Sequence, residues 1–218
     1  MTKLIKKLSL YIGGLLLLSI GINIAKAAQL GISPISSIPY ALELIWGIEL
    51  GKSTTFIYII LIILQMILLR KNFKPVQLLQ IVCTYLFGFF ITYTSSNYLL
   101  SWLPTPSSYL IKLTYLFISI LTIGIGVSFY LIPNYIPLPP EGIVNAIVEL
   151  SKGKLKFANV KIAIDVSFVL VSTLLSIVFL GRLKTVREGT VLAALLVGKV
   201  TGFMSKTYKD RIIKWIEK

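Results

Sequence analysis

Leu18-Ser-Ile-Gly-Ile22 and Leu121-Thr-Ile-Gly-Ile125 are near copies, and each lies inside an apolar run that ends in a broken stretch. The first runs into Gln29-Leu-Gly-Ile-Ser-Pro34-Ile-Ser-Ser-Ile38, the second into Pro133-Asn-Tyr-Ile-Pro-Leu-Pro-Pro140. Each half continues in the same order: a short apolar segment (34–47 and 139–150), a full-length apolar run, a basic connector and another run. Pro34 and Pro139 stand 105 residues apart, and Gly88 and Gly198, in the closing runs, 110 apart. Self-similarity of this kind outranks any single motif as a guide to architecture. Each half supplies three crossings, so the second half enters the membrane from the opposite side, the inverted arrangement of many secondary transporters.

Composition agrees with a bilayer setting. Hydrophobic residues make up 56% and charged residues 14%, with a mean hydropathy of +0.87. A soluble domain carries about 25% charged residues. The formal net charge is +14, but the cations sit in short clusters between apolar runs, as orientation signals do, and not on a polar face suited to nucleic acid. Histidine is absent and cysteine occurs once, at Cys83. Disulfide frameworks, Cys/His zinc sites and His-dependent catalytic triads are thereby excluded within one chain. No Gly-x-x-x-x-Gly-Lys-[Ser/Thr] loop is present, so the chain hydrolyses no ATP by itself. The reading is of a non-enzyme without cofactor or metal.

A crossing takes about 20 mostly apolar residues. The expected fold is all-α and polytopic, with six transmembrane helices at 8–28, 53–69, 76–95, 109–133, 158–180 and 189–204, plus two short interrupted helices. One transmembrane domain covers 1–205, with repeat one at 8–95 and repeat two at 109–204. The start, Met1-Thr-Lys-Leu-Ile-Lys-Lys, looks like a signal peptide, but its apolar run outlasts a 7–15-residue core and reads as a first span. In the tail, 206–218, Tyr208, Ile212 and Ile216 recur every four residues among Lys209, Arg211, Lys214 and Lys218. That spacing suits a separate interfacial helix on an anionic surface, with a frayed cationic tail as the other reading.

Lysine and arginine set orientation. With a cytoplasmic N-terminus the inner side holds Lys3, Lys6, Lys7, Arg70, Lys71, Lys74, Lys152, Lys154, Lys156, Lys206, Lys209, Arg211, Lys214 and Lys218. The outer side holds Lys26, Lys52, Arg182, Lys184 and Arg187. Fourteen against five places both termini in the cytoplasm.

The broken stretches are the candidate site. Non-helical backbone at membrane depth is tolerated only where protein or a water-filled cavity satisfies it. A helix opening there presents free N–H groups and a positive dipole end to an anion or polar group. Ser33-Pro34 opens one short helix and Pro139-Pro140-Glu141 the other, proline suiting the first helical position. As re-entrant helices their starts meet near the midplane and line one polar cavity with Asn23, Ser36, Asn145, Lys161 and Asp165. Gly31 and Gly142 supply close backbone approach, and bulky residues there are expected to abolish ligand binding in a folded protein. Surface loops followed by interfacial helices are the competing reading. Lys161 and Asp165 are four apart on one helix face and can pair, as structure or as a proton relay. Asn23 and Asn145 also suit interhelical hydrogen bonds, and glycines 13, 14, 21, 124 and 126 suit close packing.

Gly31-Ile-Ser-Pro34, Thr185-Val-Arg-Glu-Gly-Thr190 and the Lys161-x-x-x-Asp165 pair resemble the bacterial YczE/YyaS/YitT-type integral membrane family over about residues 10–205. In that family the pair is typically an Arg and a Glu. Ile136-Pro-Leu-Pro-Pro-Glu-Gly142 keeps its proline, acid and final glycine, but lacks two early glycines and an arginine. Leu79-Gln80 stands where the family has Gly-Thr. The resemblance implies a multi-pass protein of the bacterial cytoplasmic membrane; its members are largely of unknown function. The function expected from the repeat and the interruptions is a small secondary transporter or permease, or a substrate-binding membrane subunit, for a polar or anionic small molecule. Its partners would be the lipid bilayer, the small-molecule ligand, and either a second copy or a separate energising subunit, with no nucleic acid. The alternative is a membrane assembly factor or sensor acting through helix–helix contacts.

Overall fold

The computed structural model describes residues 2–217 as helices and connecting segments, with no strand among them. The α-helices are α1 (Thr2–Ala28), α2 (Ser37–Trp46), α3 (Leu50–Leu69), α4 (Leu79–Tyr93), α5 (Tyr109–Leu131), α6 (Pro139–Leu150), α7 (Phe157–Leu180) and α8 (Glu188–Glu217). Short 3-10 turns precede α2 (Pro34–Ser36) and α4 (Pro75–Leu78). Their ends follow local chemistry. Gly47 and Gly181 close α2 and α7 in the left-handed conformation, at φ 70° and 64°, where glycine carries no Cβ penalty. Two prolines and Glu141 fill the first turn of α6, which needs no N–H partners and favours an acid.

Among the described residues, five helices are long and apolar enough to cross a membrane: α1, α3, α4 with its preceding turn, α5 and α7. On α7, Leu170, Leu174 and Val178 are each 63% exposed while Ser172 and Ser176 are fully buried. Apolar outside and hydroxyl inside is what a hydrocarbon solvent selects, because small polar side chains let helices approach and bond. The expected separate tail at 206–218 is corrected: over its described residues it is the last turns of the single 30-residue helix α8. No proline or glycine interrupts the chain after Met204, and Ile216 is buried. Lys199 interrupts the apolar half of α8, which is not among the five.

The chain forms two compact units, each drawing on both halves of the sequence. The first comprises Met1–Ser33, Phe90–Tyr135 and Arg187–Lys218, the second Pro34–Phe89 and Ile136–Val186.

In the first unit α1 lies along α5, and α8 packs on both. Ala28 and Leu30, at the end of α1, cluster with Leu116 and Ile120 early in α5 and Ala193 early in α8. At the other end Tyr11 meets Tyr130 edge-on at 6.1 Å, and Lys6 Nζ donates to the Trp215 carbonyl at 3.0 Å. α1 is therefore antiparallel to both partners. Gly14 and Gly126 mark the α1–α5 crossing: a Cβ on either would lie 2.9 Å from the other's carbonyl oxygen. Gly21 and Gly124 are equally tight against Ile123 and Val200, whereas Gly13 faces open space.

In the second unit α3 and α4 are antiparallel neighbours. Gly88 abuts Gly51 and Thr55, Tyr58 and Phe87 stack at 6.0 Å, and Gln65 meets Gln80. The short helices each lie on a long one, α2 on α7 and α6 on α3.

Candidate functional site

Each short helix begins at a buried polar joint in the second unit. Ser37 Oγ donates to the Phe168 carbonyl at 3.2 Å, and Ser172 Oγ donates to the Ser37 carbonyl at 2.9 Å and to Thr185 Oγ1 at 2.8 Å. All three hydroxyl residues are 0% exposed. Phe168 and Ser172 lie about 17 and 23 Å along α7, at 1.5 Å per residue. Trp46, at the far end of α2, packs its ring on Phe179 at 5.4 Å. α2 thus starts partway along α7 and runs parallel to it toward its C-terminal end.

The second joint holds α6. Gln65 and Gln80 exchange amide hydrogen bonds, both at 3.2 Å, and Gln65 Nε2 also donates to the Pro139 carbonyl at 3.3 Å. Gly142 packs on this pair; a Cβ there would lie 2.4 Å from Gln65 Oε1 and 2.9 Å from Gln80 Oε1. Gln65 lies about 22 Å along α3. Reciprocal amide pairing satisfies groups that would otherwise be stranded in an apolar interior.

Beside these starts lie the ionisable groups. Lys161 and Asp165 form the expected i,i+4 ion pair on α7, with side chains 29% and 23% exposed. Tyr58, on α3, is buried and stacks on Phe87. Thr84, one turn beyond Gln80 on α4, is fully buried, and its hydroxyl has no hydrogen-bond partner among the described residues. Tyr58, Thr84, Glu141 and the Lys161–Asp165 pair are therefore the polar equipment of this unit beside the short-helix starts. Lys161→Ala is expected to lower thermal stability more than Lys161→Ala combined with Asp165→Ala, because the single change strands a partly buried carboxylate. Additive losses in melting temperature would show that the two do not interact.

The expected residues divide. Pro34, Ser36, Pro139, Glu141, Gly142, Lys161 and Asp165 belong to the second unit, with Pro34 opening the turn before α2 and Ser36 buried at its start. Asn145 is in that unit too, but exposed on α6. Asn23, Gly31 and Ser33 belong to the first unit. Asn23 Nδ2 donates to the Ile91 carbonyl at 2.8 Å and to Thr94 Oγ1 at 2.9 Å, the interhelical tie that suits a buried amide. Gly31 has φ +93°, and a Cβ there would lie 2.8 Å from the Arg187 nitrogen and 2.5 Å from Thr190 Oγ1. The neighbouring Leu30 carbonyl accepts from Gly189 N at 2.7 Å, and Arg187 Nη1 donates to the Gln29 carbonyl at 3.0 Å. So Gly31 is needed where two motifs of the sequence, 31–34 and 185–190, meet. Bulky residues at Gly31 and Gly142 collide with backbone or buried amides, and the structural contacts make folding the first thing they disturb.

Sequence reasoning passed over Gln65, Ser37, Ser172, Tyr58 and Thr84, and met Gln80 and Thr185 only as parts of family motifs without assigning them to the site. One signal was present: Gln65 and Gln80 are isolated amides in uncharged apolar stretches, where a polar side chain needs an internal partner.

A model of a family of unknown function, DUF6198, matches residues 5–206. The chain belongs to that family, which is what the comparison shows in place of the YczE/YyaS/YitT name. No curated protein and no solved structure matches it.

Proposed function

We propose that this member of a family of unknown function is a small secondary transporter or permease, embedded in the bacterial cytoplasmic membrane, for a polar or anionic small molecule. The observation that carries the reading is the pair of polar joints, each fixing the start of a short helix partway along a span-length one. The joints correspond in sequence. Ser37 and Gly142 are 105 residues apart, Gln80 and Thr185 also 105, and Gln65 and Ser172 107, against 105 for Pro34 and Pro139. This correspondence supports an inverted repeat with two re-entrant helices, and transporters of that design place substrate at the discontinuous helices.

Six crossings fit better than five. The first turns of α1 touch the last turns of α8, which supports both chain ends on one face of the membrane and hence an even number. The apolar half of α8 then makes the sixth crossing, and the basic clusters put both termini in the cytoplasm. The helix starts offer positive potential to an anionic or carbonyl group, while Tyr58, Thr84 and Glu141 supply hydrogen bonds. Energy would come from an ion gradient or a separate ATPase.

Two measurements test this reading. In a Cys83→Ser background, Ser96→Cys should react with an impermeant thiol reagent added outside and Ser151→Cys should not. Purified protein in liposomes preloaded with a pool of polar metabolites should then catalyse exchange. Tyr58→Phe and Glu141→Gln should reduce that exchange about tenfold, the scale of one hydrogen bond to a charged or polar ligand, without shifting the gel-filtration profile. Equal labelling at the two cysteines ends the inverted topology. Exchange no faster than in protein-free liposomes ends the transporter reading and favours an assembly factor.

A further inference from the structure

The two chain ends build one cationic surface in the first unit. Lys3, Lys6 and Lys7 lie on the first turns of α1, and Lys206, Lys209, Arg211 and Lys214 on the last turns of α8. Lys6 joins them: its Nζ donates to the Trp215 carbonyl at 3.0 Å and sits 5.3 Å from the centre of the Trp215 ring. Lys7 Nζ stands 6.0 Å from the Tyr135 ring. Against seven cations the same turns carry two acids, Asp210 and Glu217. Lys206, Lys209, Arg211 and Lys214 are all exposed. Apolar and aromatic groups border the cluster: Trp215 is 50% exposed, Tyr208 38%, Leu4 61% and Ile5 56%.

We infer that this surface binds the headgroups of anionic phospholipids. Its make-up is that of a membrane interface: cations for phosphate, and tryptophan, tyrosine and aliphatic side chains for the region just below it. Each cation at such a surface adds roughly a fivefold preference for anionic lipid. Because α1 and α8 contribute jointly, the lipid would clasp the beginning and end of the chain together. That role belongs to neither segment alone, and it does not depend on what the protein transports.

Trp215 can report the binding. In full-length protein with Trp46→Phe and Trp102→Phe, Trp215 is the remaining tryptophan. In vesicles of constant composition apart from the brominated species, brominated phosphatidylglycerol should quench it at least about fivefold more effectively than brominated phosphatidylcholine. The preference should fall as salt rises from about 0.1 M to about 1 M, where the screening length drops from roughly 10 Å to 3 Å. Lys209→Gln combined with Arg211→Gln and Lys214→Gln should lower it several-fold. If that variant does not fold, the salt series on the parent protein decides alone. Equal quenching by the two lipids at low salt would overturn the inference. So would loss of the preference on adding inorganic phosphate at constant ionic strength, which would mark a site for free anions instead.

Discussion

Gly126→Val is expected to remove folded, monodisperse protein from detergent extracts, whereas Gly13→Ala should leave the yield unchanged. At the α1–α5 crossing a Cβ on Gly126 would stand 2.6 Å from the Leu18 nitrogen, 2.9 Å from the Leu18 Cα and 2.9 Å from the Gly14 carbonyl oxygen. Every one of these is backbone, so no side chain can swing aside. Relief requires the two helices to part, which also opens the packing of Tyr11 on Tyr130 and of Leu116 and Ile120 beneath Ala28. Overpacking a core costs about 1–3 kcal/mol, and an obstacle made of backbone belongs at the upper end. Gly13, one residue from Gly14, has nothing within 4 Å of its Cβ position, and Ala is the better helix former by about 1 kcal/mol. Fluorescence-detected gel filtration with a thermal ramp makes the comparison. An unshifted melting curve for Gly126→Val would mean that this crossing is looser than described.

Gln65→Leu is expected to be nearly as damaging as any polar change in the second unit, and Gln65→Leu with Gln80→Leu much less than twice as damaging. Each amide satisfies the other, and both side chains are almost wholly inaccessible. Removing one leaves a stranded donor and acceptor at a cost of about 1–3 kcal/mol. Removing both exchanges the pair for apolar contact and loses mainly the tie to the Pro139 carbonyl. A coupling of about 0.5–2 kcal/mol between the two sites should emerge from a double-mutant cycle in thermal stability, in line with hydrogen bonds between membrane helices. The double variant should also lose exchange activity while remaining folded, since the start of α6 would no longer be held in place. Strict additivity of the single changes would separate Gln65 from Gln80 and remove one of the two joints.

The candidate site was legible in part. Pro139 and Glu141 mark the start of α6 where the prolines predict it, because proline fixes a first-turn geometry from its own ring. Lys161 and Asp165 pair because four residues is one helical turn, a relation within a single element. Asn145 looked equivalent to them, being polar in an apolar segment, yet it is exposed; which face of α6 turns inward depends on α3 and on the glutamine pair. Asn23 was grouped with the site because it is polar and near the break, but its amide is tied to Ile91 and Thr94 at the end of α4. Nothing local to residue 23 shows that neighbour, some seventy residues downstream.

What the sequence determined by itself is what the bilayer and the helix impose on each stretch alone: the all-helical class, five of the six span-length apolar helices it proposed, the two short helices with their breaks, and the i,i+4 ion pair. Apolar length, helix-breaking residues and one-turn spacing act within a segment, so they can be read along the chain. Tertiary structure decided the rest: that α8 runs unbroken into the tail, that Gly31 answers to Arg187 and Thr190, and that Ser37 and Gly142 are held by Ser172 and Gln65. Those outcomes depend on contacts between segments far apart in sequence. In a chain whose spans are rich in leucine, isoleucine and valine, many pairings bury similar area, and a few buried hydroxyls, amides and bare glycine backbones select among them.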